Sequence, residues 1–302
     1  MIDKKIEQLI MNTEIVLKGK QEQVRLVLCN ILANGHSLIE DVPGVGKTTL
    51  VKFLGKSLGL KISRIQFTND LLPSDILGSS IFNKNTNEFQ FHPGPIFGEL
   101  ILADELNRAP PKTQSSLLQA MEERMISIEG NHYNLPEFFI VIATQNPHMQ
   151  IGTYDLPESQ LDRFSLKLRM GYADRDSTIA LLKDNDSSFN LSKIEQVISP
   201  LEILDLQKKI QEIHIDDTLY EKIYQILENT RTRTDIIPLS NRCGIDLVNI
   251  SKAWAYLNHR DYIIPDDIVH VFPYVAGHRL VHPENSDISF EHKLAGQIIS
   301  EL

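Results

Sequence analysis

The spacing of hydrophobic residues changes near residue 36, and the change predicts two kinds of element. In the first 34 residues, apolar positions recur at helical spacing on either side of a break at Lys18-Gly19-Lys20. After that, short apolar runs of strand length alternate with helical stretches. The runs are 36–40, 62–67, 100–103, 138–143 and 165–168. Because the inner strands of a parallel sheet are buried on both faces, this pattern predicts an α/β fold in which helices cover a parallel sheet.

Two further segments alternate apolar and polar residues around turn-forming residues, which is typical of β-hairpins. One runs from Ile81 to Phe91 across Asn85-Thr86-Asn87, and the other runs from Ile126 to Leu135 across Gly130-Asn131. Both hairpins are predicted to be inserted on the α/β core.

Strand-like runs stop after Tyr172, and the rest of the chain is amphipathic at helical spacing. The clearest stretches are 201–213, 219–227, 243–257 and 265–274. We therefore expect an α/β domain over residues 1–172 and an all-helical domain over residues 173–302, with the boundary near Gly171 to Arg175.

Composition excludes some classes of protein. The 30 Lys and Arg residues against 40 Asp and Glu residues give a net charge of −10, which disfavours a protein that coats nucleic acid by counterion release. No apolar run is long enough to span a membrane, and charges are mixed into the first residues, so we expect a cytoplasmic protein. Cys29 and Cys243 lack neighbours at metal-ligand spacing, and we expect both to be small buried residues.

A phosphate-binding loop (P-loop) is predicted where the first strand run ends. Gly44 and Gly46 allow the backbone to curl so that its N–H groups face phosphate oxygens at the positive end of the following helix. Lys47 is expected to contact the β- and γ-phosphates of ATP, and the Thr48 hydroxyl to coordinate Mg²⁺. The alternative is a glycine-rich turn with a solvated lysine, since Asp41 stands where the usual motif has glycine. The loop reads Asp41-Val42-Pro43-Gly44-Val45-Gly46-Lys47-Thr48-Thr49.

Two later strand runs also end in polar residues. Asp104 and Glu105 follow the third run, and we expect Asp104 to hold Mg²⁺ and Glu105 to act as the base toward the attacking water. Asn146 follows the fourth run and would hydrogen-bond the γ-phosphate or position that water. The alternatives are a strand end capped by two solvated acids and a turn residue before proline.

Taken together, these stretches resemble the MoxR family of AAA+ ATPases, over nearly the whole chain. The segments that carry the likeness are Glu40 to Thr48, Ala103 to Gln114, Ala143 to Pro147 and Leu156 to Phe164. The resemblance implies a five-stranded parallel core followed by a helical lid, with ATP and Mg²⁺ bound where the two meet. It also implies a homo-oligomeric ring, commonly a hexamer, in which the next subunit completes each site. An Asp at position 41 is familiar in MoxR-like sequences.

Two arginines are assigned by the resemblance. Arg163, in Leu161-Asp162-Arg163-Phe164, matches the arginine-finger position and would contact a neighbour's γ-phosphate, unless it only forms an ion pair with Asp162 or another surface acid. Arg242 lies where MoxR relatives usually carry Pro-Arg-Ala, and would sense the γ-phosphate of its own subunit's nucleotide. Asn241 and Cys243 depart from that pattern at the start of the predicted helix.

The function that the resemblance implies is ATP hydrolysis that drives chaperone-like remodelling or maturation of a partner, often a protein with a von Willebrand factor A domain. The alternatives are a nucleic-acid motor or loader and a nucleotide-gated scaffold. The acidic charge and the lack of a basic, aromatic-rich run disfavour the first, and the intact pair of Asp104 and Glu105 disfavours the second. The two hairpins are predicted either to contact the client or to pack on the subunit body.

Overall fold

The computed structural model of this chain describes residues 2–146, 152–183, 187–281 and 287–300. The strands of these ranges are β1 (Ser37–Glu40), β2 (Ile62–Gln66), β3 (Gly78–Asn83), β4 (Glu88–Pro93), β5 (Leu100–Asp104), β6 (Met125–Ile128), β7 (Asn131–Asn134), β8 (Ile140–Gln145) and β9 (Leu166–Leu168). The α-helices are α1 (Ile2–Val16), α2 (Gln21–Leu32), α3 (Lys47–Ser57), α4 (Pro73–Leu77), α5 (Pro111–Glu123), α6 (Glu158–Leu161), α7 (Arg175–Lys183), α8 (Ser187–Ser192), α9 (Pro200–Gln211), α10 (Asp217–Thr232), α11 (Asn241–Leu257), α12 (Pro265–Leu280) and α13 (Ile288–Ser300).

Five strands form one parallel sheet in the order β2, β5, β8, β1, β9, which confirms the predicted core. Each predicted run falls on one of these strands, although β8 continues two residues beyond the predicted end, to Gln145. Because the strands are parallel, all their carboxyl ends lie at one edge of the sheet, here called the carboxyl edge. The opposite edge is called the amino edge. The order places β8 between β1 and β5.

Side chains of the sheet alternate between two hydrophobic clusters, one on each face. Leu38 and Ile101 pack with residues of α4 and α5. Ile39 and Leu102 pack with residues of α1 to α3 and of the later helices. Every residue of β1, β5 and β8 is buried, which is why these strands read as short, nearly continuous apolar runs. Both cysteines are fully buried, as expected.

Within its described part, the chain after β9 is helical, as predicted. The stretches 219–227, 243–257 and 265–274 lie inside α10, α11 and α12, whereas α9 ends at Gln211, two residues before the predicted end of the first stretch. The stretch predicted to end at Tyr274 instead extends to Leu280, and Pro273 lies inside this helix. Proline removes one helical hydrogen bond, but Val275, Ala276 and Leu280 in the added turns are fully buried. The division at residue 172 falls between β9 and α7 and stays a prediction. No helix in the described ranges has the length and apolar character needed to cross a membrane.

The two predicted hairpins are present as antiparallel pairs, β3 with β4 and β6 with β7. They contact each other, because Phe91 of β4 stacks on Tyr133 of β7 with ring centroids 4.0 Å apart. Phe82 and Phe89 lie farther along the first hairpin and are 46% and 68% exposed. Ile126 of the second hairpin is buried in the cluster that includes residues of α4 and α5, so the hairpins pack partly on the body of the subunit and partly present aromatic side chains to solvent.

A buried group of charges attaches α13 to the sheet. Lys167 of β9 lies 2.8 Å from Glu291 of α13 and 3.1 Å from Glu40, and all three side chains are at most 2% exposed. Glu40 also accepts a hydrogen bond from Gln145 at the end of β8. Because charges this deeply buried must be paired, the group fixes α13 against the residue that precedes the P-loop.

Candidate functional site

The loop between β1 and α3 has the backbone of a phosphate cradle. Gly44 and Gly46 have φ angles of 90° and 98°, which residues with a side chain rarely adopt. A Cβ atom built on Gly44 would meet nothing within 4 Å, so the space beside the loop is open. Gly46 immediately precedes α3, whose first N–H groups have no partner within the helix. The loop therefore has the shape and the donors that anion binding requires.

Asp41, which stands in the place of the usual glycine, braces this loop. Its Oδ1 accepts a hydrogen bond from the backbone N–H of Val42 (2.8 Å), and its Oδ2 accepts one from that of Gly171 (2.6 Å). Lys20 holds the same segment by donating to the carbonyl oxygens of the residues on either side of Gly171, at 2.7 and 2.8 Å. Asp41 thus ties the loop to the segment between β9 and α7, a contact that glycine cannot make.

Lys47 lies at the carboxyl edge with the acid pair. The residue is 9% exposed, and its ammonium group donates to the carbonyl oxygen of Asp41. Burial lowers the pKa of Lys47, while nearby carboxylates, Asp104 and Glu105 among them, act in the opposite direction because they favour its charged form. The sheet order agrees, since β1 and β5 are separated by one strand and end at the same edge. Lys47 and the acid pair therefore belong to one site.

The acid pair is held by Thr144, to which the sequence analysis assigned no role. Thr144 Oγ1 donates to Asp104 Oδ1 (2.7 Å) and accepts from the backbone N–H of Glu105 (2.9 Å). Glu105 has a φ angle of 57°, a left-handed conformation that is costly for a residue with a side chain. Its carboxylate reaches the surface and pairs with Arg108 at 2.8 Å. Asp104 is therefore held inside the site by Thr144, whereas Glu105 reaches the surface beside Arg108. This difference suits the separate roles expected for them, metal binding and catalytic base.

Arg64 of β2 is a second residue that the sequence did not indicate. Its Nη2 donates to Asp104 Oδ2 at 2.7 Å, and its side chain is 52% exposed. One oxygen of Asp104 thus faces Thr144 and the other faces Arg64. A cation bound to Asp104 would share the second oxygen with Arg64 or displace it.

Asn146 follows β8, between the P-loop strand and the Asp104 strand. It is 4% exposed, and its carbonyl oxygen accepts a hydrogen bond from Asn107 Nδ2 (3.1 Å). This location suits a side chain that contacts a phosphate, but the role itself stays a prediction. Pro147, which belongs to the alternative interpretation, lies outside the described residues.

A cavity of about 330 Å³ adjoins the P-loop. Gly44, Gly46 and Thr49 contribute to one wall, and the turn between α1 and α2 and residues 171–181 contribute to the others. The volume is within the range of small-ligand sites. A larger cavity, of about 420 Å³, lies between α1 and α11 and includes no P-loop residue. We assign the ligand to the smaller cavity because only it adjoins the phosphate cradle.

The groups at the carboxyl edge suit a magnesium nucleotide. The hydroxyl of Thr48 and the carboxylate of Asp104 are hard oxygen donors, which Mg²⁺ prefers. The open loop and the buried ammonium group of Lys47 suit phosphate, and the adjoining cavity has room for a base. Mg²⁺ and ATP therefore fit the residues that are present.

Arg163 lies at the amino edge. It precedes β9 and pairs with Glu122 of α5 at 3.0 Å. Arg124, two residues after Glu122, donates to Asn34 and to the carbonyl oxygen of Phe139, which precede β1 and β8. Strands of three to six residues separate the two edges. At about 3.3 Å per residue the separation is on the order of 15 Å, more than an arginine side chain spans.

Arg242 lies beside Arg163, because both pair with Glu122, and the nucleotide-sensing role expected for Arg242 stays a prediction. Its guanidinium pairs with Glu122 at 2.5 Å and lies 3.8 Å from Asp162. The hydrogen bond from Arg242 lowers the pKa of Glu122, so this shared carboxylate stays ionised between two arginines. The departures at Asn241 and Cys243 do not disturb the helix, since Ser240 caps α11 by accepting from Cys243 N (3.2 Å). The position of Arg242 depends on how the lid packs against Glu122 and Asp162, and no local sequence motif indicates it.

Comparison with known proteins agrees with this geometry. Residues 36–166 match the model of the ATPase family associated with various cellular activities (AAA), and residues 237–302 match that of an AAA lid domain. The chain is 46% identical, over 95% of its length and 89% of the relative, to the uncharacterized protein YeaC of Bacillus subtilis. It is 34% identical, over 91% of its length and 75% of the relative, to Chaperone MoxR1 of Mycobacterium tuberculosis.

A solved structure is similar over the whole fold. The crystal structure of a Cytophaga hutchinsonii protein, described provisionally as an ATPase, matches with a TM-score of 0.88 at 34% identity. The match covers 99% of this chain and 94% of that one, so it includes the sheet and the lid together. The fold, the site geometry and these relatives lead to one conclusion. The chain belongs to the MoxR family of AAA+ ATPases.

Proposed function

We propose that this chain binds ATP with Mg²⁺ at the carboxyl edge and hydrolyses it to ADP and phosphate, with the site completed by a second copy of the chain. The observation that carries the proposal is the convergence of the open P-loop, Lys47, Asp104 and Glu105 at one edge of the sheet. A lone glycine-rich turn or a lone acidic strand end would not bring these groups together.

The residues at the carboxyl edge divide the work of phosphoryl transfer. Backbone N–H groups of residues 44–49 would hold the phosphates, and Lys47 would exchange the Asp41 carbonyl oxygen for phosphate oxygens. Thr48 and Asp104 would hold Mg²⁺, which supplies positive charge to the transferred group. Glu105 would leave Arg108 and accept the proton of the attacking water, and Asn146 would orient that water.

The arginines at the amino edge would serve a neighbouring copy. Arg163 and Arg242 both pair with the carboxylate of Glu122, so two cations are already gathered in one place. A planar guanidinium group suits charge that spreads over phosphoryl oxygens. A contact between opposite edges of two copies is head-to-tail and closes into a ring when the rotation allows it. We propose a hexamer on the family resemblance.

The work done by this ring would be the remodelling or maturation of a partner protein. The support is the relation to a protein named Chaperone MoxR1. The exposed Phe82 and Phe89 of the first hairpin offer an apolar surface for such a partner. A protein with a von Willebrand factor A domain is the client class that the family resemblance favours. Capture of that class of protein by a Glu105→Gln ring held in the ATP state tests this part.

Calorimetry with phosphate-release kinetics tests the ATPase proposal. The parent chain should take up ATP only weakly without Mg²⁺ and tightly with it. Glu105→Gln should bind ATP like the parent but lose turnover, and Lys47→Ala should bind poorly. Lys52→Ala is the matched control, because Lys52 is an exposed lysine on the same helix. No uptake of ATP by the parent with Mg²⁺ present, or turnover by Glu105→Gln at the parent rate, would contradict the proposal.

A further inference from the structure

The segment that carries Arg163 is held from the lid. Arg279 of α12 donates from Nη2 to the carbonyl oxygens of Asp162 (2.8 Å) and Phe164 (3.1 Å). These carbonyl groups belong to the residues directly before and after Arg163. His278 Nε2 also lies 3.0 Å from the Phe164 carbonyl oxygen. Two consecutive residues of one lid helix therefore fix the backbone on both sides of the proposed arginine finger.

Charge pairing keeps Arg279 in this position. Its side chain is 3% exposed, and its Nε lies 2.9 Å from Asp162 Oδ1. On its other side, Nη2 lies 2.6 Å from Asp246 Oδ2 of α11. Ser240 adds a hydroxyl that donates to the carboxylate of Asp162 at 3.1 Å. Removing this planar cation would leave two carboxylates and two carbonyl groups without their shared donor.

The position of the finger depends on this backbone more than on its own side chain contacts. The Arg163 side chain is 25% exposed, and its ion pair is with Glu122, a carboxylate that is itself 41% exposed. An exposed ion pair holds a side chain weakly. The backbone held by Arg279 therefore decides where the guanidinium of Arg163 points.

We propose that Arg279 is a positioning residue for the active site of the neighbouring subunit: it fixes the segment of Arg163, and so the lid of one subunit sets the turnover of the next. This inference rests on the proposed function, in which Arg163 acts on a neighbour's phosphate. A displacement of the lid would move the finger, because α12 and the segment share buried hydrogen bonds. Own-subunit ATP binding does not involve Arg279.

Mixed rings separate this role from a general structural one. The donor is Lys47→Ala, which has a finger but no working site, and the acceptor is Arg163→Ala, which has a site but no finger. Turnover in the mixture then comes from acceptor sites beside a donor. Adding Arg279→Lys to the donor keeps its charge but removes the planar fork. We expect the restored kcat to fall about 10- to 100-fold, as for a misplaced catalytic group, with the KM for ATP unchanged.

The matched control is a donor with Arg260→Lys. Arg260 is another lid arginine in a bidentate pair, with Asp267 at 2.5 and 2.6 Å, but it does not contact the finger segment. That donor should restore turnover as well as Lys47→Ala alone. Equal restoration by the Arg279→Lys donor, with co-assembly confirmed by light scattering, would overturn the proposal.

If the donor with Arg279→Lys does not co-assemble, a donor with a smaller change tests the role of Arg279. Asp246→Asn keeps the shape of the side chain and removes one charge that holds Arg279. We expect it to reduce the restored kcat severalfold, and an unreduced kcat would overturn the proposal. If the Lys47→Ala donor itself restores nothing to Arg163→Ala, the shared site is wrong, and the role of Arg279 in it falls for that separate reason.

Discussion

The two edges of the sheet differ in what one chain can complete by itself. At the carboxyl edge, the P-loop and Lys47 after β1 and the acid pair at the end of β5 come together within a single chain, with only β8 between the two strands. At the amino edge, Arg163 and Arg242 share the carboxylate of Glu122. We infer that nucleotide binding is a property of one chain, whereas turnover is a property of two chains in contact.

The largest expected effect concerns the buried charges behind the carboxyl edge. Lys167→Met would leave Glu40 and Glu291 buried without their shared cation, and should lower the free energy of unfolding by about 3–5 kcal/mol. Urea unfolding measures this change. Lys52→Met, at an exposed position, should change the free energy by less than about 0.5 kcal/mol. Equal effects of the two variants would mean that the buried group does not support the P-loop strand.

Asp104→Asn should reduce catalysis at the carboxyl edge without unfolding the protein. The amide keeps the hydrogen bond from Thr144 but loses the charge that favours Mg²⁺. We expect kcat to fall by about two orders of magnitude and half-maximal turnover to need more Mg²⁺. Phosphate release measured across a Mg²⁺ titration checks both. An unchanged Mg²⁺ requirement would remove Asp104 from the metal site.

The buried His36, which lies at the amino edge, should make the stability of the fold depend on pH. Burial lowers its pKa to about 3, and its neutral Nδ1 accepts a hydrogen bond from Val141 N (3.0 Å). The unfolded chain takes up this proton near pH 6.5, but the folded chain does not. Stability from this group is therefore complete above pH 6.5 and is lost between pH 6.5 and about 3, by about 1.4 kcal/mol per pH unit.

Replacement of His36 by Gln tests that slope. Urea unfolding between pH 6.5 and 5 should show a shallower loss of stability for His36→Gln than for the parent. His132→Gln, at an exposed histidine, should keep the parent slope. A parent-like slope for His36→Gln would assign the acid sensitivity elsewhere.

The smallest expected effect is that of Glu122→Gln at the amino edge. Its carboxylate is 41% exposed, so its ion pairs with Arg163 and Arg242 should contribute less than about 1 kcal/mol to folding. Thermal unfolding of the variant beside Lys167→Met compares the exposed and the buried charge groups directly. A loss as large as that of Lys167→Met would show that the amino edge is structural, not a surface prepared for a neighbour.

Local backbone requirements explain what the sequence could predict. The strand runs and the positions of Gly44 and Gly46 follow from burial on both faces and from left-handed backbone, which are local properties. Thr144 and Arg64 could not be found in this way, because their contacts with Asp104 depend on which strands become neighbours. The fold was therefore easier to predict than the details of the site.

The lid was predicted less well, for physical reasons. Helix α7 spans nine residues, none of them buried, so no core-facing side marks it. Helix α13 places the charged Glu291 on its buried face, which interrupts the pattern. The contacts of Arg242 could not be predicted from the sequence, because they depend on how the lid meets the segment around Asp162. That contact joins residues far apart in sequence.

Turnover by a mixture of Lys47→Ala and Arg163→Ala chains tests the central claim most directly. Neither variant should hydrolyse ATP by itself, because the first lacks a working site and the second lacks a neighbour's finger. We predict that the mixture recovers turnover well above the sum of the two, since an arginine finger contributes about 10³- to 10⁵-fold. A mixture no faster than that sum, although the chains co-assemble, would contradict a site shared between the two edges.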